Sequence, residues 1–183
     1  MESKSPLCVI ENFLDSTAAQ DIASTLMSNS FPWYYQRSST AYESVNKMDR
    51  PWLFHVFTYE QDVVNSDYAE MINERFDPLF QLVKQKPEQI RASMEIQQTP
   101  GMTFFHRDRS YEHFSCIYYV VTATGNTVFG STDSIEITPQ FNSIVIFDGS
   151  IEHCNRFPDA SERCIINFIF KGPFPQHLLG DKT

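Results

Sequence analysis

Apolar and polar positions change their rhythm part-way along this chain. Before residue 89, strand-like runs alternate with helical patterns. Leu7–Phe13 reads as a short strand, and Asp15-Ser16-Thr17 offers helix N-caps, with Thr17 and Gln20 fitting a capping box. Ala18, Ile22 and Leu26, flanked by Ala19, Ala23 and Met27, predict one amphipathic helix to about Ser28. Phe31–Arg37 and Pro51–Glu60 are aromatic, β-prone runs, and the polar, aperiodic Ser38–Arg50 between them is a loop and a candidate lid. Ser66–Phe76 predicts a second helix. Asp77 as N-cap and Pro78 at the first helical position restart a turn after it, and Lys84–Glu88 is a polar connector.

From Gln89 the chain reads as strand after strand. Ile90, Ala92, Met94 and Ile96 alternate with Arg91, Ser93 and Glu95, and continuing the apolar face puts Gln98 inside and Gln97 outside. Met102–His106, Phe114–Val121, Thr127–Phe129, Ile135–Thr138, Ser143–Phe147, Glu152–Asn155 and Cys164–Phe170 follow, punctuated by turns such as Pro100-Gly101 and Gly125-Asn126. Eight short strands separated by turn residues suit a sandwich or jelly roll. The expected class is mainly β with packed helices (α+β). It is one domain over 1–183: 1–88 as N-terminal strands and supporting helices, 89–171 as the β core, and 172–183 as a tail.

Charge and cysteines narrow the partners. The 183 residues carry 14 basic and 23 acidic side chains, a net charge of −9, which argues against duplex nucleic acid, since phosphate binding needs clustered Lys and Arg. Cys8, Cys116, Cys154 and Cys164 form no CxxC pair and resemble neither a disulfide framework nor a zinc site. The start has no apolar signal core, and no stretch approaches a membrane span of about 18 apolar residues. The expected compartment is reducing and cytoplasmic.

The candidate chemistry sits in Phe104-Phe105-His106-Arg107-Asp108 and in His153. A His and an Asp two positions apart on a strand project to one side of it. A second His from a distant strand completes the two-histidine, one-carboxylate face of non-haem Fe(II) oxygenases, which leaves coordination positions open. Arg163, ten residues after His153, is a fixed cation suited to the distal carboxylate of a 2-oxo acid.

In that order and spacing the chain resembles the Fe(II)/2-oxoglutarate-dependent oxygenase superfamily, and within it the prolyl-4-hydroxylase-like branch, over about Ile90–Phe170. Ser115-Cys116-Ile117-Tyr118-Tyr119 looks like the corresponding strand of oxygen-sensing prolyl hydroxylases. Thr127 stands at the Thr or Leu of the branch's Gly-Gly-x-(Thr/Leu) turn. Ile137-Thr138-Pro139-Gln140-Phe141, followed by Ile144-Val145-Ile146-Phe147, matches its Pro-containing turn and apolar strand. The resemblance implies a double-stranded β-helix (jelly-roll, cupin-like) core with helices supporting one sheet. It implies His106, Asp108 and His153 as catalytic Fe(II) ligands and Arg163 with Tyr119 as the site of the 2-oxoglutarate C5 carboxylate. Thr127, Ser115 and Gln98 occupy further cofactor positions.

Two departures stand out. The family's pocket Tyr is Gln98 here, and its Gly-Gly turn is Thr124-Gly125. The Asp of the triad is retained, which the resemblance associates with hydroxylation rather than halogenation. The implied activity is a dioxygenase using Fe(II), 2-oxoglutarate and O₂, with ascorbate as reductant, on a small-molecule or peptide substrate, a prolyl side chain included. The protein would act as a monomer or homodimer, off the membrane.

Other readings of these residues stand beside that one. His106 with Asp108 is also what a surface pair beside a turn looks like, Arg163 can pair with Glu162 or Asp159, and Tyr119 can be a core tyrosine. Trp33, Tyr34 and Trp52 are read as core aromatics before cleft residues, and His113 as exposed. Arg109 reaches an anionic substrate only if the chain turns after Asp108. At the level of the whole chain, the alternatives are a non-catalytic jelly-roll binding or sensor module and a cupin-type metal enzyme that does not use 2-oxoglutarate.

Overall fold

A computed structural model of the chain describes residues 7–37, 51–60, 63–96, 100–132 and 134–179. The candidate lid at 38–50 and the position of Gln98 lie outside the described residues.

Among the described residues, four strands and three helices precede residue 89: β1 (Leu7–Ile10), α1 (Ser16–Leu26), β2 (Tyr34–Gln36), β3 (Trp52–Tyr59), β4 (Val63–Val64), α2 (Ala69–Arg75) and α3 (Asp77–Val83). Asp15 caps α1, its carboxylate accepting from the backbone N–H groups of Thr17 and Ala18, so the Thr17–Gln20 box is not the capping device. Asp77 is the first residue of α3 rather than its cap; Phe76 holds that position.

Then come β5 (Gln89–Glu95), β6 (His113–Tyr119), β7 (Thr127–Phe129), β8 (Ile135–Ile137), β9 (Ser143–Asp148), β10 (His153–Asn155) and β11 (Arg163–Lys171), with a 3₁₀ turn at Gln176–Leu179. The expected strand Met102–His106 is present only as two isolated bridges, Met102 to Arg156 and His106 to His153.

Two antiparallel sheets face one another. The larger runs β1-β9-β6-β11-β5-β3-β2, with β4 beside β3; the smaller is β10-β7-β8. The N-terminal segment therefore supplies strands to the main sheet as well as helices behind it.

The main sheet is buried on both faces, and its alternation tells them apart. Phe114, Cys116 and Tyr118 of β6, with Ile90, Ala92 and Met94 of β5 and Ile166, Phe168 and Phe170 of β11, pack under the helices against Ile22, Leu26, Ile72 and Phe76. Ile117, Tyr119, Ile165, Val145 and Phe147 face the smaller sheet and meet Phe129 there. The candidate chemistry occupies that second space. It is the mouth of the jelly roll.

Candidate active site

His106 and His153 arrive on the two sides of one bridge, with His106 N–H donating to His153 O (2.9 Å) and the reverse (3.0 Å). Their rings lie 4.6 Å apart between centroids. Asp108 follows on a bend, and one ligand atom from each of the three residues falls within 4.8 Å of the others.

Each group is held in the form a metal needs. His106 Nδ1 lies 3.0 Å from Phe104 O; a carbonyl only accepts, so Nδ1 carries the hydrogen and the Nε2 lone pair is left for a metal. Burial first, partly opposed by Asp108, pushes the His153 imidazole down to about 4, so it is neutral at physiological pH. Burial pushes the Asp108 carboxyl up, but His153, Arg91, a 2.7 Å hydrogen bond from Ser115 Oγ and His106 together outweigh it. They hold the acid well below the usual carboxylate range. Two imidazoles and one carboxylate converge, a set suited to Fe(II).

Behind the triad the pocket ends at Arg163, which is 3% exposed. Arg163 Nη2 donates to Thr127 Oγ1 (2.8 Å), which also accepts from Tyr119 Oη (2.8 Å), and the guanidinium carbon lies 6.0 Å from the Tyr119 ring centre. The structure thus gathers Arg163, Tyr119 and Thr127 at one end and His106, Asp108 and His153 at the other. Ser115 belongs to the metal end, where its hydroxyl goes to Asp108.

Several sequence readings change. Arg91, Ser93 and Glu95 form the polar face of β5, and all three line this pocket. The apolar face of β5, with Ile90, Ala92 and Met94, is the helix-packing face. Arg91 Nη2 lies 3.5 Å from Asp108 Oδ1 and its guanidinium sits over the Trp52 ring at 5.5 Å, so Trp52 lines the pocket while Trp33 packs on the helical core and Tyr34 is exposed.

Arg109 turns back to Gln89 Oε1 (2.9 Å), the Asp108 carbonyl and Tyr111 Oη, rather than into the pocket. His113 is buried, not exposed, with Nδ1 donating to Tyr111 O (2.7 Å). The signal that could have found Glu95 and Arg91 is the alternation itself: charged residues at period two in a strand flanked by apolar strands mark a polar cavity as readily as a solvent face.

The sequence matches no protein-family model and no curated protein. Solved structures do match in shape. A 2OG-Fe(II) oxygenase family oxidoreductase from Burkholderia pseudomallei superposes at a TM-score of 0.68 with 13% identity, covering 93% of this chain and 88% of that one. The fold is that of the 2OG-Fe(II) oxygenases. A prolyl hydroxylase from Trichoplax adhaerens, solved with a hypoxia-inducible factor oxygen degradation domain peptide fragment, gives 0.68 at 13% identity over 98% of this chain and 89% of its own. A prolyl-4-hydroxylase from Pseudomonas putida gives 0.61 at 13% over 92% and 94%. On this oxygenase fold the residues above sit in the mouth of the double-stranded β-helix. No helix among the described residues is long and apolar enough to cross a membrane.

Proposed function

We propose that the protein is an Fe(II)- and 2-oxoglutarate-dependent dioxygenase that hydroxylates a substrate C–H bond. One observation carries the reading: a converged His106, Asp108, His153 face and a buried arginine lie in one pocket. The residues fit the groups that chemistry needs. The donor set is two imidazoles and a carboxylate, and Arg163 Nε is buried with no hydrogen-bond acceptor among the described residues. That is a cation with capacity for an anionic ligand.

His106, Asp108 and His153 would hold the metal, and Arg163, Tyr119 and Thr127 the far end of the 2-oxo acid. When bound, metal, 2-oxoglutarate and O₂ supply the oxidation that turns R–H into R–OH while the 2-oxo acid leaves as succinate and CO₂. The chain orients these groups and excludes water. Ser115 and Arg91 keep Asp108 ionised, Phe104 O fixes the His106 tautomer, and the apolar shell of Ile117, Ile165 and Phe147 keeps the site dry.

Among the similar structures a prolyl hydroxylase holds a peptide and an epimerase holds nogalamycin RO, which supports either a peptidyl side chain or a small molecule as substrate. Four free cysteines, three of them buried, support a reducing, cytoplasmic compartment. Ascorbate would serve as the reductant that keeps a bound metal as Fe(II).

Anaerobic titration with Fe(II) and 2-oxoglutarate should develop a visible metal-to-ligand band, and O₂ with ascorbate should then release succinate. His106→Ala should abolish both with the fold retained. Arg163→Ala strips one partner from a buried charge pair, a loss of about 3–5 kcal/mol, and should raise the 2-oxoglutarate KM by two to three decades. A triad that takes up Fe(II) but gives no band and no succinate would point instead to the binding module or to a cupin-type enzyme.

A further inference from the structure

Arg163 does not face the pocket alone. Glu95 stands opposite it in the β5–β11 register and points to the same side, with Oε2 3.5 Å from Arg163 Nη1. Both residues are buried, at 4% and 3% exposure. The pair is loosely made. Glu95 Oε1 accepts a short hydrogen bond from Asn155 Nδ2 on β10, but Glu95 Oε2 accepts none and Arg163 Nε donates to none among the described residues.

The chain has thus placed its own carboxylate in the subsite where the reading above puts the carboxylate of the co-substrate. One guanidinium cannot neutralise two carboxylates in a buried site, and when two acids share such a site one takes a proton.

We propose that Glu95 is a proton-coupled gate on the Arg163 subsite. A 2-oxo acid with a distal carboxylate binds there with Glu95 protonated, taking one proton from solvent for each molecule bound. The inference rests on the proposed 2-oxoglutarate chemistry. In the bound state the Glu95 O–H donates and the ligand carboxylate remains ionised on Arg163; no bond other than that to the proton is made or broken.

The surroundings favour this division. Burial raises the Glu95 carboxyl, and Arg163 and the Asn155 hydrogen bond lower it again without cancelling the rise. A second anion on Arg163 removes part of that lowering influence, which raises it further.

Among the described residues the groups facing the pair are few. β11 contributes Arg163, β6 contributes Tyr119, whose phenol is itself raised by burial, and β10 contributes Asn155. β7 and β3 present Thr127 and Trp52, without charge. Arg91 is four residues along the same strand, about 13 Å away at ~3.3 Å per residue. His106, Asp108 and His153 line the same pocket, with Asp108 beside Arg91 rather than beside the pair. Within this set, Glu95 is the acid that a second carboxylate meets.

The test is calorimetry of 2-oxoglutarate binding to Mn(II)-loaded protein, in paired buffers of different ionisation enthalpy, from about pH 6.5 to about pH 9. Wild type should take up close to one proton per ligand once the pH exceeds the Glu95 titration, with Kd rising about ten-fold per pH unit there. Glu95→Gln should take up none, hold a flat Kd, and bind at least about ten-fold tighter than wild type at the alkaline end.

2-Oxopentanoate, which carries a methyl group in place of the distal carboxylate, should bind wild type without this proton. That comparison reads the gate in the unmutated protein, whatever Glu95→Gln does to folding. Wild-type Kd changing less than about three-fold across the range, or equal uptake in Glu95→Gln, overturns the gate while leaving the cofactor reading intact. Failure of wild type and variant alike to bind 2-oxoglutarate at any pH, with Mn(II) bound, overturns the cofactor reading itself.

Discussion

Ser115 donates a 2.7 Å hydrogen bond to Asp108 Oδ2, the oxygen that also lies 3.9 Å from His153 Nε2. A hydroxyl holding a ligating carboxylate sets the direction in which the carboxylate points, and such partners typically change metal affinity by about 10–100-fold. Ser115→Ala should therefore weaken Co(II) or Fe(II) binding by about that factor with unfolding unchanged to within about 1 kcal/mol. A metal Kd within two-fold of wild type would show that Arg91 alone is enough to hold Asp108. His106, Asp108, His153 and Arg163 were legible in the sequence because the chemistry demands those residue types in that order. Ser115 was legible as a pocket position, but not as the partner of Asp108, because its neighbour across the bend is set by the fold. Glu95 and Arg91 were hidden for a different reason: next to Ala92 and Met94 they look like the wet side of a strand.

At the scale of elements, the turn before β7 is where the chain departs from the Gly-Gly pattern of the branch it resembles, and the geometry explains what one glycine must still do. Gly125 has φ +87°, and a Cβ there would lie 2.8 Å from Arg156 O and 3.2 Å from Arg163 Cδ. The left-handed backbone alone disfavours a side chain by about 1–3 kcal/mol, and the close approach to Arg156 cannot relax without moving backbone. Gly125→Ala should lower stability by at least that amount in urea unfolding. It should also raise the 2-oxoglutarate KM through displacement of Arg163, with metal affinity at the triad unchanged. A loss of stability with unaltered KM would mean that the turn matters to the fold alone. Thr124 carries no such demand, its hydroxyl accepting from the N–H of Asp159, which is why the first glycine of the pattern is dispensable here. Seven of the eight expected core strands were readable, since each is a short apolar run between turn residues. Met102–His106 was not, because its ends make only isolated bridges, Met102 to Arg156 just beyond β10 and His106 to His153, and the run between them makes no ladder.

For the whole molecule, the buried titratable groups make stability depend on pH with a definite sign. His153 has its ordinary value of 6.5 when unfolded and about 4 when folded, the shift arising first from burial. Between those values the unfolded chain holds the proton and the native one does not. Stability from this group is therefore complete above about 6.5 and is lost as pH falls towards 4, by about 3 kcal/mol at ~1.4 kcal/mol per pKa unit. Asp108, also depressed, acts in the same direction at still lower pH, as its carboxylate takes a proton. Glu95, raised by burial, has the opposite sign: it favours the native state at low pH and loses that contribution as pH rises through its folded value. The metal-free protein should thus show a broad maximum near neutrality and a marked fall on the acid side. A bound metal adds stability in proportion to its saturation, and it needs unprotonated imidazoles, so its contribution should fade over the same acid window. Urea unfolding with EDTA and with saturating Co(II), at about pH 7, 5.5 and 4.5, measures both effects. The two curves should lie furthest apart at neutrality and converge at the acid end. A metal-free protein as stable at about pH 4.5 as at neutrality would mean that His153 already carries its proton in the native state, and the triad would then not be poised for a metal.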